Sequence, residues 1–503
     1  MQLAIRVDAT AQMGTGHFMR CLTLADSARA AGASVRVVSR QLPDYLREMV
    51  NGHHHELRML TPPAAVGSGD TYADWLGVGV KDDAAETVAA LADRAWEWVV
   101  VDHYALDAEW ETPMRQVAAR VCAIDDLANR THDCDLLLDQ NYYDDMSSRY
   151  RDKVPADCQL LLGPRYALLR DEFAHRLTNA RPRTGPVRRL FVAFGGTDIG
   201  NDTLQVIEAL TRAPLRGVQV DVVISAGHPQ REAIADACAA AQFSCHVQPQ
   251  ALSALMVSAD MAVGAGGIST WERCCLGLPS LVWPVADNQR RQVADTARRG
   301  WVYAPDLPDG GSRAAWIECH LHAFADNAAG RARMSIDAMT AVDGRGASRV
   351  VGELTGSNIE TRPATVDDSR NIFTWRNDPS IRRASRESEP IEWDRHERWL
   401  ASVLADPQRV LLIGHQHGAP RGVVRFDIEK DAAEVSIYLV PGAPAGTGGR
   451  LLIAAERWLT ATRADVRRFR ACVLGDNIPS HLLFTRAGYG RELTWYSKLV
   501  TAS

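Results

Sequence analysis

The chain has 503 residues, 46% hydrophobic and 23% charged, with 56 basic against 62 acidic side chains and a formal charge of −6. That length exceeds the roughly 300 residues one hydrophobic core serves and, at about 150 residues per domain, points to about three domains. The composition excludes wholesale disorder and fibrous repeats. The acidic balance gives no reason to expect nucleic acid as a partner, and no apolar run of about 18 residues is present to cross a membrane.

The first residues, MQLAIRVDATAQMG, carry Arg6 and Asp8 inside their apolar run, so no secretory leader is expected. Leu3 to Ala9 predicts a buried strand, followed by a glycine loop and a helix from Phe18 to Ala31, which Gly32 ends. Further strands are expected at 35–40, 98–103, 121–126 and 135–141. Short β-rich runs separated by helical stretches indicate a parallel sheet covered on both faces. After the Pro/Arg-rich stretch 180–189 a second such block begins, with strands at 189–196, 218–225, 243–248, 261–267 and 279–285. The polar stretch 352–365 reads as a linker. Beyond it come a helix-rich piece (367–404), meandering strands, a glycine loop, a helix and a last strand and helix. The expected organisation is α/β: two Rossmann-like lobes, 1–180 and 186–352, then an α+β domain, 358–503.

Ten scattered cysteines with no C-x-x-C suggest reduced thiols of a cytoplasmic protein, with no disulfide framework and no metal expected. The triplet His53 to His55 has no carboxylate or thiol at ligand spacing and reads as a surface loop.

QMGTGH, Gln12 to His17, joins the first strand to the first helix. Gly14 and Gly16 permit close backbone approach to an anion at a helix start, and His17 is placed to take a proton. Three more loops share this character: FGGTDIGN, with Gly195, Gly196, Thr197, Asp198 and Asn201; GAGGISTWE, with Gly266, Gly267, Ser269 and Glu272; and DNQRRQ, with Asn288 and Gln289. Loops of this kind at the carboxyl ends of parallel strands form nucleotide clefts, and no Walker lysine follows any of the glycines.

Taken with VVVDHY, IDD and GPRYALLRDEF, these motifs resemble, over roughly residues 1 to 350, the GT-B superfamily. Within it they are most similar to the UDP-sugar hydrolase of pseudaminic acid biosynthesis. The resemblance implies hydrolysis of UDP-2,4-diacetamido-2,4,6-trideoxy-β-L-altropyranose by inverting attack of water at the anomeric carbon. His17 then activates or orients the water, and Tyr104 contacts the sugar. Glu272 binds ribose, and the glycine-loop amides hold the departing diphosphate without a metal. Asp102 is a catalytic candidate or, equally, a strand-end cap.

PGAPAGTGGRLL, residues 441–452, is a second anion-cradling loop before a helix. With VLGDNIPSHLLFTRAGY, TWRNDPSIR and HERWL it resembles, over 358–503, the GNAT acetyltransferases, in particular those that acetylate amino-sugar nucleotides or protein N-termini. The resemblance implies acetyl-CoA as co-substrate at Val440, Gly446, Gly448, Gly449, Arg450, Asn477, Ser480 and Phe484. Phe484 stands where many such enzymes carry a tyrosine acid. Tyr489 and Tyr496 are candidate substitutes, and Glu434 is a candidate base. The joint expectation is a bifunctional enzyme that acetylates the 4-amino group of a UDP-amino sugar and hydrolyses the product. Three alternatives stay open: a glycosyltransferase or another nonulosonate-pathway hydrolase, an acetyltransferase of a different acceptor, and a nucleotide-sugar sensor without turnover.

Overall fold

Arg6 lies in the middle of the first strand, where an uncompensated charge could not stay. Its guanidinium meets Asp8 at 2.6 and 2.9 Å and Asp83 at 2.7 and 3.1 Å, and Arg40 meets the same Asp83 at 2.9 Å. All four side chains are sealed from solvent. Burial works against the Asp83 carboxylate, but Arg6 and Arg40 outweigh it and hold its pKa well below the ordinary value. Leu3, Ala4, Ile5 and Val7 of that strand are apolar and buried, as a parallel sheet covered on both faces requires.

The computed structural model describes residues 1–490 except 11, 64–70, 178–179, 196–197, 199, 250, 309–311, 356–358, 386–388, 417, 445 and 475–476. The chain divides into two units, Met1–Leu354 and Thr355–Ser503.

The first unit holds two parallel sheets. One comprises β1 (Gln2–Val7), β2 (Ser34–Ser39), β3 (Glu56–Met59), β4 (Trp96–Asp102), β5 (Ala118–Ile124), β6 (Leu136–Asp139) and β7 (Gln159–Leu162), in the order β3-β2-β1-β4-β5-β6-β7. The other comprises β8 (Arg189–Ala193), β9 (Gln219–Ile224), β10 (Ser244–Val247), β11 (Met261–Ala265) and β12 (Ser280–Trp283), in the order β10-β9-β8-β11-β12. Both are Rossmann-like. Strand order reverses between β1 and β4 in the first sheet and between β8 and β11 in the second. A crevice opens at each reversal, beyond the strands' carboxyl ends.

The last helix of this unit, Gly346–Leu354, does not pack on the second sheet it follows. Ala347, Val350, Val351 and Leu354 join Leu3, Ile5, Leu24 and Val37 in the first sheet's core. Trp98 Nε1 also donates to the Leu354 carbonyl at 2.7 Å. The segment expected to close the second lobe therefore belongs by packing to the first.

The second unit is α+β. Its sheet runs β13 (Glu360–Pro363), β14 (Arg409–Gln416), β15 (Ala419–Glu429), β16 (Ala432–Leu439) and β17 (Arg468–Ala471) in sequence order. It is antiparallel except for the β16–β17 pair. Helix Thr447–Thr462 covers one face through Leu451, Leu452, Ala455 and Leu459, which pack on Leu412, Val424 and Phe426. Ile372, Leu400 and Val403 cover the other face over Leu411, Ile413 and Val423.

Candidate active site

A cavity of about 1350 Å³ lies between the two sheets of the first unit. It exceeds the ~300–1,000 Å³ usual for one drug-sized ligand, leaving room for a two-part ligand. Its walls include the loops at the two strand-order reversals. Gly14, Gly16, His17, Tyr104, Gly195, Asp198, Gly266, Gly267, Ser269, Glu272, Asn288 and Gln289 all line it. Gly196 and Thr197 lie outside the described residues.

His17 is the second residue of helix Gly16–Ala30 and Asp102 the last of β4, beside β1. His17 Nδ1 lies 2.6 Å from Asp102 Oδ1. A carboxylate only accepts, so Nδ1 carries a proton, and in the neutral ring Nε2 holds the lone pair. Asp102 is fully buried behind the cavity wall and also accepts from Arg20 Nε at 2.6 Å and Nη2 at 2.7 Å. Burial alone would raise its pKa, but Arg20 and then His17 outweigh that and hold it well below the ordinary value. Asp102 is thus held as an acceptor shared by His17 and Arg20.

Arg20 continues to Asp126 Oδ2 at 3.0 Å, and Tyr104 donates to Asp126 Oδ1 at 2.6 Å. The Tyr104 ring stands edge-on to His17, with centroids 4.5 Å apart. Burial first, and then the Asp126 charge, push its hydroxyl well above the usual tyrosine range, so it stays a donor. From the second lobe, Asn288 Nδ2 donates to that hydroxyl at 3.2 Å.

In the second lobe's wall of the cavity, Gly267 has φ +88°, a conformation few side chains adopt, and precedes helix Ile268–Cys275. Its N–H is taken by Gln292 Oε1 at 3.2 Å, whereas the amides of Ile268 and Ser269 have no intrahelical acceptor. The Ser269 hydroxyl accepts from Arg273, and Gln289 Oε1 accepts from the Val285 N–H. Glu272 lies 3.6 Å from Arg170. Burial raises its pKa against the opposing pull of Arg170 and Arg273. The Asp198 carboxylate is engaged as a helix cap, accepting from the Asp202 and Thr203 amides at 2.8 and 2.9 Å. His53 and His55 both bond Asp26 at 2.8 Å, which accounts for the triplet. Among the described residues no group of three or more His, Cys, Asp and Glu side chains is placed to hold a metal ion. None of the described helices is long and apolar enough to cross a membrane.

Arg20, Asp126 and Asn141 were not singled out as candidates from the sequence. Arg20 carried a signal, since three residues after His17 it shares a helix face.

In the second unit, Gly446 (φ +81°) caps helix Thr447–Thr462. Among the described residues, a Cβ placed at Gly446 or Gly449 would meet nothing within 4 Å beyond its chain neighbours and own helix turn, so the bare backbone leaves open space outside the loop. Arg450 is in the first turn of that helix, and the Val440 amide bonds the Arg421 carbonyl at 2.9 Å. β16 pairs with β17 only from Ala432 to Val435. Its Ser436–Leu439 edge on that side has no strand partner among the described residues. Asn477 caps helix Ile478–Arg486 by accepting from the Ser480 amide and donates to the Ala384 carbonyl. Phe484 is buried against Tyr489, whose hydroxyl donates to Glu456 at 2.7 Å. That pairing and burial raise the Tyr489 pKa above the usual range. Glu434 is exposed on β16, opposite Asp427 and Arg470. Tyr496 lies outside the described residues.

No family model matches the chain. It is 24% identical over 230 residues to the UDP-2,4-diacetamido-2,4,6-trideoxy-beta-L-altropyranose hydrolase of Campylobacter jejuni, covering 46% of this chain and 71% of that one. It is 20% identical to an uncharacterized protein of Methanocaldococcus jannaschii over 98% of this chain and 99% of that one. Among solved structures, Phytolacca americana UGT2 complexed with UDP-2fluoro-glucose and pterostilbene matches with a TM-score of 0.52 at 13% identity, covering 71% of this chain and 99% of that one. Vibrio cholerae spermidine N-acetyltransferase in complex with CoA and spermine matches 27% of this chain and 83% of that one, at 21% identity and a TM-score of 0.25. The first unit has the fold of a GT-B pair of Rossmann-like lobes and is followed by an α+β unit, and over 46% of its length the chain is a distant homologue of a UDP-sugar hydrolase.

Proposed function

We propose that the chain is a bifunctional enzyme of amino-sugar biosynthesis, whose first unit hydrolyses a UDP-sugar to free sugar and UDP. The observation that carries this reading is the His17–Asp102 pair at the wall of the inter-lobe cavity. With Nδ1 bound to Asp102, Nε2 accepts a proton from water as its oxygen attacks the anomeric carbon. The C1–O bond to UDP breaks, with inversion. The helix-start amides at Ile268 and Ser269 stabilise the charge on the departing diphosphate, and Glu272 accepts from the ribose hydroxyls. Tyr104, a fixed donor, orients the sugar. The substrate the relatives favour is UDP-2,4-diacetamido-2,4,6-trideoxy-β-L-altropyranose. Hydrolysis in heavy-oxygen water tests the step: label in the sugar fits it, and label in UDP would refute C1–O cleavage.

We also propose that the second unit transfers acetyl from acetyl-CoA to the 4-amino group of the preceding UDP-amino sugar. Two features support CoA: the open glycine loop at Gly446–Arg450, where helix-start amides meet a cation, and the unpaired Ser436–Leu439 edge beside it. An extended amide-containing arm can pair with such an edge. The three domains in this reading span 1–180, 186–352 and 358–503 in sequence, with helix Gly346–Leu354 returning to pack on the first, and the setting is cytoplasmic.

A further inference from the structure

Asn141, two residues beyond β6, bridges the lobes of the first unit. Its Oδ1 accepts from Trp271 Nε1 of helix Ile268–Cys275 at 2.9 Å, and its Nδ2 donates to Asp126 Oδ2 at 3.2 Å. Indole N–H is only a donor and an ionised carboxylate only an acceptor. The reversed amide would set donor against donor and acceptor against acceptor, so one orientation satisfies both partners. Trp271 is fully buried and Asn141 nearly so, and neither contact is one that solvent readily replaces.

A second chain reaches the same carboxylate. Asn288, on helix Asp287–Arg298, donates to Tyr104, which donates to Asp126 Oδ1. From each of two helices of the second lobe a hydrogen-bonded path therefore reaches Asp126, and the two paths end on the two oxygens of its side chain. From Asp126 the connection runs through Arg20 to Asp102 and so to His17. Helix Ile268–Cys275, which carries Trp271, also presents the Ser269 amide and Glu272 to the cavity.

We propose that Asn141 is a positioning residue: through Trp271 it ties the seating of the nucleotide-facing helix to Asp126, and so sets the geometry of Tyr104, Arg20 and the His17–Asp102 pair. The inference rests on the UDP-sugar hydrolase reading. It predicts that loss of either half of the bridge slows the chemical step and leaves nucleotide affinity intact, because neither Trp271 nor Asn141 supplies the amides or the carboxylate assigned to the nucleotide.

The test compares full-length wild type, Asn141→Asp, Trp271→Phe and the double variant. Asn141→Asp keeps the acceptor for Trp271 and removes the donor to Asp126. Trp271→Phe removes only the indole donor and keeps an aromatic ring, so it serves where the first variant does not fold. UDP affinity is read by calorimetry, and kcat and KM by UDP release from the diacetamido UDP-sugar. Each single variant is expected to lower kcat on the order of tenfold to a hundredfold, with KM and UDP affinity within about threefold of wild type. The double variant should be no slower than the slower single one. Variants with wild-type kcat, losses that multiply in the double variant, or a loss of UDP affinity with kcat unchanged would overturn the inference and leave the hydrolase reading standing. A wild-type chain that neither binds UDP nor releases it would overturn both.

Discussion

Asp102 holds His17 Nδ1 at 2.6 Å from beneath the cavity floor, and it does so as an anion because Arg20 shares the same carboxylate. The pair fixes one tautomer. Asp102→Asn keeps the shape but can offer its N–H₂ to Nδ1 and turn the proton to Nε2, leaving no lone pair for water. UDP release should fall on the order of 10²–10⁴-fold in kcat with UDP affinity unchanged, read by steady-state kinetics beside calorimetry. An unchanged kcat would remove Asp102 from the mechanism.

Glu272 contributes to binding in this account, not to chemistry. Glu272→Gln keeps an acceptor but drops its charge, and a charge-assisted hydrogen bond is worth about 1.5–3 kcal/mol. The expected result is a rise in KM on the order of tenfold with kcat within about twofold. A fall in kcat at constant KM would assign Glu272 a different role.

The glycine loop of the second unit offers a change the fold tolerates. Among the described residues, nothing beyond its own helix turn lies within 4 Å of a Cβ placed at Gly449. Gly449→Val should therefore fold normally but obstruct the phosphates, raising KM for acetyl-CoA on the order of tenfold or more. UDP release from an already acetylated substrate should be unaffected. Equal acetyl transfer by both proteins would displace the CoA site from this loop.

Stability at alkaline pH carries the signature of one buried histidine. His132 Nδ1 lies 2.7 Å from Glu111, and its other nitrogen faces Asp125 at 3.8 Å. Burial opposes the charged ring, but Asp125 and Glu111 overcome it and raise its pKa to about 9. The folded state therefore holds the proton more tightly than the unfolded chain, whose ordinary value is about 6.5. The stabilisation is complete below about 6.5 and is lost as pH climbs through about 9. Denaturant midpoints should fall across that window in wild type and much less in His132→Gln. Parallel curves would contradict the assignment.

The Arg6–Asp8–Asp83–Arg40 cluster predicts a larger structural effect. Asp83→Asn leaves Arg6 with Asp8 alone and Arg40 with only the half-exposed Glu86 at 3.3 Å, a loss worth about 3–5 kcal/mol. Chemical denaturation of the first unit's transition would measure it, and a loss below about 1 kcal/mol, the scale of an exposed pair, would mean that the cluster is not sealed in solution.

Much of this architecture is readable in local sequence. Apolar runs bounded by glycine loops mark the strands, and the loops at His17, Gly195, Gly267 and Asn288 all reach one cavity. The residues that escaped need the sheet order. Asp126 and Asn141 sit two positions beyond β5 and β6, and nothing local says that these strands follow β4 across the sheet. The terminal helix Gly346–Leu354 shows its apolar face in sequence, but not that the face returns to the first sheet. Asp198 shows the converse: a carboxylate beside a glycine turn reads as a ligand group, yet the local need for a helix cap claims it.

In the proposed mechanism UDP release requires His17, whereas acetyl transfer does not. The most direct test is one incubation of the full-length protein with the UDP-4-amino sugar and acetyl-CoA, following free CoA and free UDP together. Wild type should release both, with UDP release dependent on acetyl-CoA, and His17→Leu should release CoA at the wild-type rate and no UDP. UDP release that survives the His17→Leu change would contradict the account.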